Sequence, residues 1–402
     1  MLRKHLLKTW RKNRSSRRIV HCIPFFDYLS GYEEDLSVRY AAEAGYDAIV
    51  VTSMYSIKKA GRNLGSRLHF IFKQQVGGIT IYRLPAIILP SGATTILGST
   101  FLIMLLMPDI IHIHGIASPN GWLNALVGKF IGARVLSDSH DYVYSTHQLA
   151  NPGKSLYNKL RYLEFKLLRR KIGQMQLAAS DSVICYENKT ERFLRDFYAF
   201  KGIVQNIYIG YEEKYFYYTA RQTTSSQKVI GFVGQASERK RLESLLYILD
   251  KVGKDYRLLI VGNWDLKYKR KFLDLATDLR LEDRLILKEN VPYEQVGIEI
   301  RKMIVAIYLY SSSIACNQIL GCGVPLIMAI GQQFESAARS YGFVVEEETS
   351  EALEEKCASL IVNKLEGLYN YATVENERFL SIQTRLSFGQ TFSAMERLYG
   401  ES

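Results

Sequence analysis

Only five cysteines occur in 402 residues (Cys22, Cys185, Cys316, Cys322 and Cys357), and no two form a C-x-x-C pair. Their odd number and scatter argue against a disulfide framework and a zinc site, and for a reducing, cytoplasmic compartment. No H-E-x-x-H or comparable ligand spacing is present, so no metal site is expected. A membrane-crossing helix needs about 20 consecutive apolar residues, and no stretch supplies them. The nearest, Ile96–Met107, is too short, contains Gly98, Ser99 and Thr100, and stops at Pro108-Asp109; it reads as a buried helix before a strand. The opening also lacks the apolar stretch and small-residue cleavage site of a signal peptide.

Acidic residues are missing from positions 1–21, which hold eight Lys and Arg side chains. Those eight account for most of the net charge of +12, so the body of the chain is only mildly basic. Such a distribution is poor support for nucleic-acid binding, which calls for a basic face on a folded module. Within the tail, residues 1–17, Leu2, Leu6, Leu7 and Trp10 share one side of a helical wheel. Two readings stay open: a short helix lying on an anionic membrane surface at the inner face, or a solvated tail.

Hydrophobic residues make up 48% and charged residues 23%, ordinary for a globular protein, which rules out disorder, collagen and coiled coil. At about 150 residues per domain the length suggests two or three domains. Strand-like runs alternate with helical ones: Arg18–Cys22, Ala48–Thr52, Ile79–Leu84, Ile110–His114, Arg134–Ser137 and Ser182–Tyr186. Helices are expected over 33–44, 121–130 and 156–172. A second series runs through Val229–Val233, Arg257–Val261, Leu285–Lys288, Val305–Tyr310 and Pro325–Ala329, with helices over 240–251 and 267–279. Alternation of this kind implies parallel sheets covered by helices. The polar stretch Tyr217–Lys228 lies between the series. The expected architecture is α/β, two Rossmann-like doubly wound domains facing across a cleft, with ligands at the carboxyl ends of both sheets. Tyrosines crowd Tyr208–Tyr218, for junction packing or, less in keeping with their usual core role, for stacking on a sugar.

Four places have chemical potential. The loop Ser30-Gly31-Tyr32-Glu33 feeds a helix, where free N–H groups and the helix dipole would suit a phosphate. The segment Gly234-Gln235 to Arg239-Lys240-Arg241 follows a strand with three consecutive cations, which could neutralise a departing diphosphate or merely face solvent. His112, His114 and His140-Asp141 lie in or at the ends of strands; His112 reads as a satisfied core residue and His140 as a substrate contact. Asn317-Gln318 to Ile327 forms a helix-to-strand corner.

Taken in order, these segments resemble the GT-B-fold retaining glycosyltransferases of the family-4 type, the glycosyl transferases group 1. That family's G-G-x-E loop is similar to Ser30–Glu33, its D-[VI]-[VI]-H-x-H strand to Asp109–His114, and its H-D strand end to Asp138-Ser139-His140-Asp141. The hinge pattern is similar to Ile209–Glu212 with Phe216. The V-G-R…K-G opening is similar to Val233-Gly234-Gln235 with Lys240-Arg241. Leu258–Gly262, Leu281–Leu285 and Gln318–Ile327 match the remaining signatures.

The resemblance implies a metal-independent glycosyltransferase that moves a sugar, with retention, from a nucleotide sugar to a lipid-linked or polysaccharide acceptor in cell-surface glycan biosynthesis. It implies domains at 18–210 and 229–387, a linker at 211–228, and a C-terminal helix over 388–402 returning to the first domain. Lys240 and His140 take the catalytic roles. Gly31, Tyr32, Gly234, Gln235, Arg239, Arg241, Asn290, Val291, Asn317 and Gln318 hold the donor. The sequence departs from the family where Gln235 replaces an arginine, where Gln318 replaces a glutamate of the E-x(7)-E pair, and where the first glutamate of that pair has no counterpart. Those departures motivate a second reading, a catalytically inactive GT-B scaffold that binds and activates a partner glycosyltransferase.

Overall fold

The computed structural model describes residues 14–55, 68–88, 94–139, 156–186, 188–219, 228–332, 334–340, 342–364, 381–382 and 384–400. The chain divides into two compact units, one comprising Met1–Tyr208 with Thr391–Ser402, the other Ile209–Gln390. Residues 211–219 therefore cluster with the second unit, and 220–227 lie outside the described residues.

In the first unit an eight-stranded sheet forms from β1 (Arg18–Ile23), β2 (Asp47–Ser53), β3 (Lys73–Val76), β4 (Ile79–Leu84), β7 (Ile110–Ile113), β8 (Arg134–Ser139), β9 (Ser182–Cys185) and β10 (Val204–Asn206). Its order is β10-β9-β8-β7-β1-β2-β4-β3. All pairs are parallel except β3 with β4, a hairpin the apolar pattern does not announce because Lys73-Gln74-Gln75 is polar and exposed. Two short strands, β5 (Ala86–Ile88) and β6 (Thr94–Ile96), pair separately. The order reverses between β1 and β7, where open α/β sheets bind ligands.

Among the described residues, helices α1 (Glu33–Glu43), α2 (Ser99–Leu106), α3 (Pro119–Ile131), α4 (Leu156–Leu163), α5 (Arg170–Ala179) and α6 (Asn188–Tyr198) accompany the first unit's sheet. The single helix expected over 156–172 is instead α4 and α5 joined by a π-helical segment, Glu164–Arg169. Past α1, Gly45 sits at φ 86°, the left-handed turn that closes a helix. Residues 96–107 do not form a buried helix: only Ser99 and Ile103 of α2 are buried, while Phe101, Met104 and Leu105 face solvent. The unbroken apolar run Phe101–Met107 carries no period to reveal its outer side.

The second unit holds a six-stranded, all-parallel sheet, order β13-β12-β11-β14-β15-β16. Its strands are β11 (Lys228–Val233), β12 (Tyr256–Val261), β13 (Leu285–Lys288), β14 (Val305–Tyr308), β15 (Leu326–Ala329) and β16 (Gly342–Val345). The switch point here lies between β11 and β14. Helices α7 (Glu243–Lys251), α8 (Leu266–Asp278), α9 (Tyr293–Ile300), α10 (Ala315–Gly321), α11 (Glu335–Ser340) and α12 (Ser350–Asn363) accompany it. Full burial of Ile230, Leu258, Ile260, Val305 and Leu326 stabilises this core by about 1.5–3 kcal/mol per side chain.

A last helix, α13 (Phe388–Gly400), begins in the second unit and ends in the first. Tyrosines in 208–218 largely pack: Tyr211 is fully buried, Tyr215 stacks edge-on to Tyr293, and Arg301 lies 4.3 Å over the Tyr217 ring.

Candidate functional site

In the second unit, the three consecutive cations follow β11 at the switch point. The helix expected to open at Lys240 starts later: Glu238–Lys240 is a 3-10 turn and α7 begins at Glu243. That turn separates the cations. Lys240 points inward and is buried, whereas Arg239 and Arg241 are exposed. The Lys240 Nζ donates to the Ser311 carbonyl at 2.8 Å and the Ser312 carbonyl at 3.0 Å, just beyond β14. An ammonium has three donors, so one remains for a ligand. Burial, reinforced by the neighbouring Arg239 charge, lowers the Lys240 pKa to about 8. Arg241 lies 4.3 Å over the Tyr310 ring, which keeps its guanidinium beside the same loop. Gln332 fixes that loop from outside, accepting from the Ser312 N–H at 3.1 Å and donating to the Leu309 carbonyl at 3.3 Å.

The remaining residues expected here have diverse surroundings. Gly234 closes β11 with its N–H on the Val261 carbonyl at 2.9 Å, and Gln235 beside it is exposed. Asn290 takes a left-handed φ of 55°, its N–H donating to Asn263 Oδ1 at 3.0 Å, and Val291 is half-buried. Gln318 is buried on α10. Asn317 is corrected: it has no solvent exposure, and its side-chain amide donates to the Ile209 carbonyl at 2.7 Å. It ties α10 to the start of the unit and offers no surface to a donor.

At the first unit's switch point, the turn before α1 differs from a vacant phosphate cradle. Asp35, in the first turn, accepts from the Leu29 N–H and the Gly31 N–H, each at 3.1 Å, and pairs with Arg39 at 3.3 Å. The Gly31 amide expected to be free is thus engaged by the protein's own carboxylate. Tyr32 is exposed. His140 and Asp141 lie outside the described residues.

Beneath that turn lies a buried polar cluster that sequence reading missed as a unit. His21 on β1 sits in register beside His112 on β7, and His114 follows two residues later on the same side. His21 Nδ1 and His114 Nε2 are 3.0 Å apart, within hydrogen-bond distance. Asp138, from β8, lies 2.7 Å from His114 Nδ1 and 3.2 Å from His112 Nε2. It also accepts from the Gly115 N–H at 2.9 Å and the Tyr186 hydroxyl at 3.3 Å. The Tyr399 hydroxyl of α13 reaches His112 Nδ1 at 3.0 Å, and Glu33 Oε2 is 3.6 Å from His114.

The charges sort themselves. Burial opposes a charged His114, but the Asp138 and Glu33 carboxylates outweigh it and hold its pKa well above the ordinary value. Burial, then the charge of His114, keeps His21 and His112 low and neutral. Asp138, despite burial, is held well below the usual carboxylate range by His114 and His112. The D-x-x-H-x-H pattern marked two members, but His21 is about ninety residues away and only strand pairing brings it there. The network anchors β8, whose end leads straight into His140.

Residues 219–375 match the family model described as Glycosyl transferases group 1. The second unit is a group 1 glycosyltransferase domain. Over the whole chain the fold is that of GT-B glycosyltransferases. Sucrose-phosphate synthase from Thermosynechococcus elongatus superimposes with a TM-score of 0.65 at 16% identity, covering 96% of this chain and 98% of that one. Anabaena HepE, solved with UDP and glucose, gives 0.63 at 13% identity, covering 96% and 99%. S. aureus TarM, a mutant solved with fondaparinux, alpha-GlcNAc-glycerol and UDP, gives 0.60 at 12% identity, covering 96% and 100%. No curated protein matches by sequence. The family match therefore lies in the second unit and the expected fold extends over the whole chain, and among the described residues a buried cation, Lys240, stands at the second unit's switch point.

Proposed function

We propose that this glycosyltransferase moves a sugar from a nucleoside-diphosphate donor to a lipid-linked or polysaccharide acceptor, with retention at the anomeric carbon, in cell-surface glycan biosynthesis. The observation that supports it most is Lys240: a buried ammonium at a topological switch point, held by two carbonyls with one donor to spare. In the reaction, the bond between anomeric carbon and diphosphate oxygen breaks. A bond to an acceptor hydroxyl oxygen forms on the same face, and the hydroxyl proton leaves toward the diphosphate. Lys240 meets the charge developing on the leaving group, with Arg239 and Arg241 supplying the field around it. These fixed cations do the work that a divalent ion does elsewhere, so a chelator should leave the rate unchanged. The UDP in the HepE and TarM structures supports a nucleotide-sugar donor for this chain as well. His140 is assigned to the sugar pocket, and Gly31, Tyr32, Gly234, Gln235, Asn290, Val291 and Gln318 to the donor's surroundings. The work is done in the cytoplasm, at the inner membrane face.

Calorimetry with UDP-, GDP- and ADP-sugars tests the reading: one donor should bind, with slow hydrolysis. The Asp35 carboxylate in the Gly31 turn and the glutamines at 235 and 318 favour a second reading, an inactive scaffold for a partner transferase. Failure of every donor to bind would select the scaffold.

A further inference from the structure

We propose that the outer side of the helical layer α2–α3–α5 in the first unit is a docking surface for an anionic lipid bilayer. One core cluster joins Ile103 of α2, Ala125 and Ile131 of α3 and Ala179 of α5 to Val20, Ile111 and Val135 of the sheet. The three helices therefore share one face of the sheet, and α3 packs against both neighbours. Their outward sides form a common surface.

That surface is apolar where a solvated layer would be polar. Phe101 is 62% exposed, Leu105 59%, Leu126 44% and, on the π segment leading into α5, Leu167 60%. Residues 97–107 carry no charge at all, and 119–132 carry only Lys129. Basic residues interleave with the apolar ones further along: 156–179 contain six Lys or Arg and one acid, Glu164, with Lys159, Arg170 and Lys171 exposed. Arg14 adds a further cation at the same edge, where it donates to the Met107 carbonyl at the end of α2.

This combination selects the occupant. A second copy of the chain would bring like charges face to face while burying the apolar side chains. An anionic bilayer accepts both parts at once. Phe and Leu enter the boundary between headgroups and acyl chains, and the long basic side chains reach the phosphates. The proposal concerns a folded face, apart from the tail at 1–17, and its test uses no donor, so it stands or falls independently of the transfer reaction.

Co-sedimentation with vesicles of equal parts phosphatidylglycerol and phosphatidylcholine, and with phosphatidylcholine alone, provides the test. Wild-type protein should bind the mixed vesicles. Phe101→Glu with Leu105→Glu, and separately Leu126→Glu with Leu167→Glu, should each weaken binding by about tenfold or more. Lys171→Glu should weaken it on mixed vesicles alone. The altered side chains are exposed, so melting temperatures should match the wild type; if a glutamate pair fails to fold, serine at the same positions replaces it. Equal vesicle binding by wild type and folded face variants would overturn the proposal. Concentration-dependent dimerisation lost in those variants, with no vesicle binding, would overturn it in favour of a second copy.

Discussion

The chemical role proposed for Lys240 comes with an energetic cost, and the two have opposite pH dependences. Its pKa falls from 10.5 to about 8 because burial, with Arg239 nearby, disfavours the charge. The transfer proposed above uses the ammonium, so on that proposal turnover should hold below pH 8 and decline as pH rises through it. Stability moves the other way: between about pH 8 and 10.5 the unfolded chain binds a proton that the folded chain does not, so resistance to unfolding increases with pH there. Lys240→Met should remove both dependences and lower turnover about 10²–10³-fold, the loss typical of removing a preorganised charge-stabilising donor. Donor consumption and urea unfolding across that pH range check the two signs. A turnover profile flat through pH 8 in the wild type would take Lys240 out of the mechanism.

At the scale of the element, α13 is held to the first unit by contacts that the histidine cluster helps to make. The Tyr399 hydroxyl meets His112, Tyr46 donates to Glu396 at 3.3 Å, and Arg17 donates to the Tyr399 carbonyl at 2.8 Å. Tyr399→Phe keeps the ring and removes one hydrogen bond at a buried acceptor, so it should cost about 1–3 kcal/mol, read by chemical unfolding.

The cluster also predicts an acid limit. His21 and His112, held neutral, gain their protons only on unfolding, so stability falls as pH drops below the ordinary value of 6.5. Asp138 adds to the loss at lower pH, through and below 3.8. His114 has the opposite sign: its contribution is complete below 6.5 and fades only as pH climbs toward its raised value. The melting temperature should therefore fall between pH 6.5 and 4, and His112→Asn should flatten that fall. A wild-type melting temperature constant over this range would contradict the neutral assignment.

Over the whole molecule, the architecture was more legible in the sequence than the site. Parallel strands buried on both faces must be apolar runs, and Val229–Val233 or Ile110–His114 can be little else. Lys240 was visible as a cation, yet its partners are the main-chain carbonyls of Ser311 and Ser312, which impose no side-chain pattern. The occupied Gly31 turn was hidden for a related reason: Asp35 looks like an ordinary acid in the first turn of a helix until its acceptors are seen turned back on the loop.

The chain passes from one unit to the other twice, near 208 and near 390. Its two passing segments run side by side: the Tyr211 N–H donates to the Leu386 carbonyl at 2.8 Å, and the Phe388 N–H returns to the Tyr211 carbonyl at 2.7 Å. Gly210 allows that approach, since a Cβ there would stand 2.3 Å from the Ser387 backbone. The obstacle is the main chain of Ser387 and Phe388, with no flexible side chain to swing away. Gly210→Ala should therefore cost about 2–4 kcal/mol, in the range of a disrupted core. Gly400→Ala, with nothing within 4 Å of its Cβ, supplies the control and should be neutral or slightly stabilising. Because this close contact joins both passages, the loss in Gly210→Ala should appear at the first step of thermal unfolding. An unchanged first transition in that variant would mean that the paired segments do not limit stability.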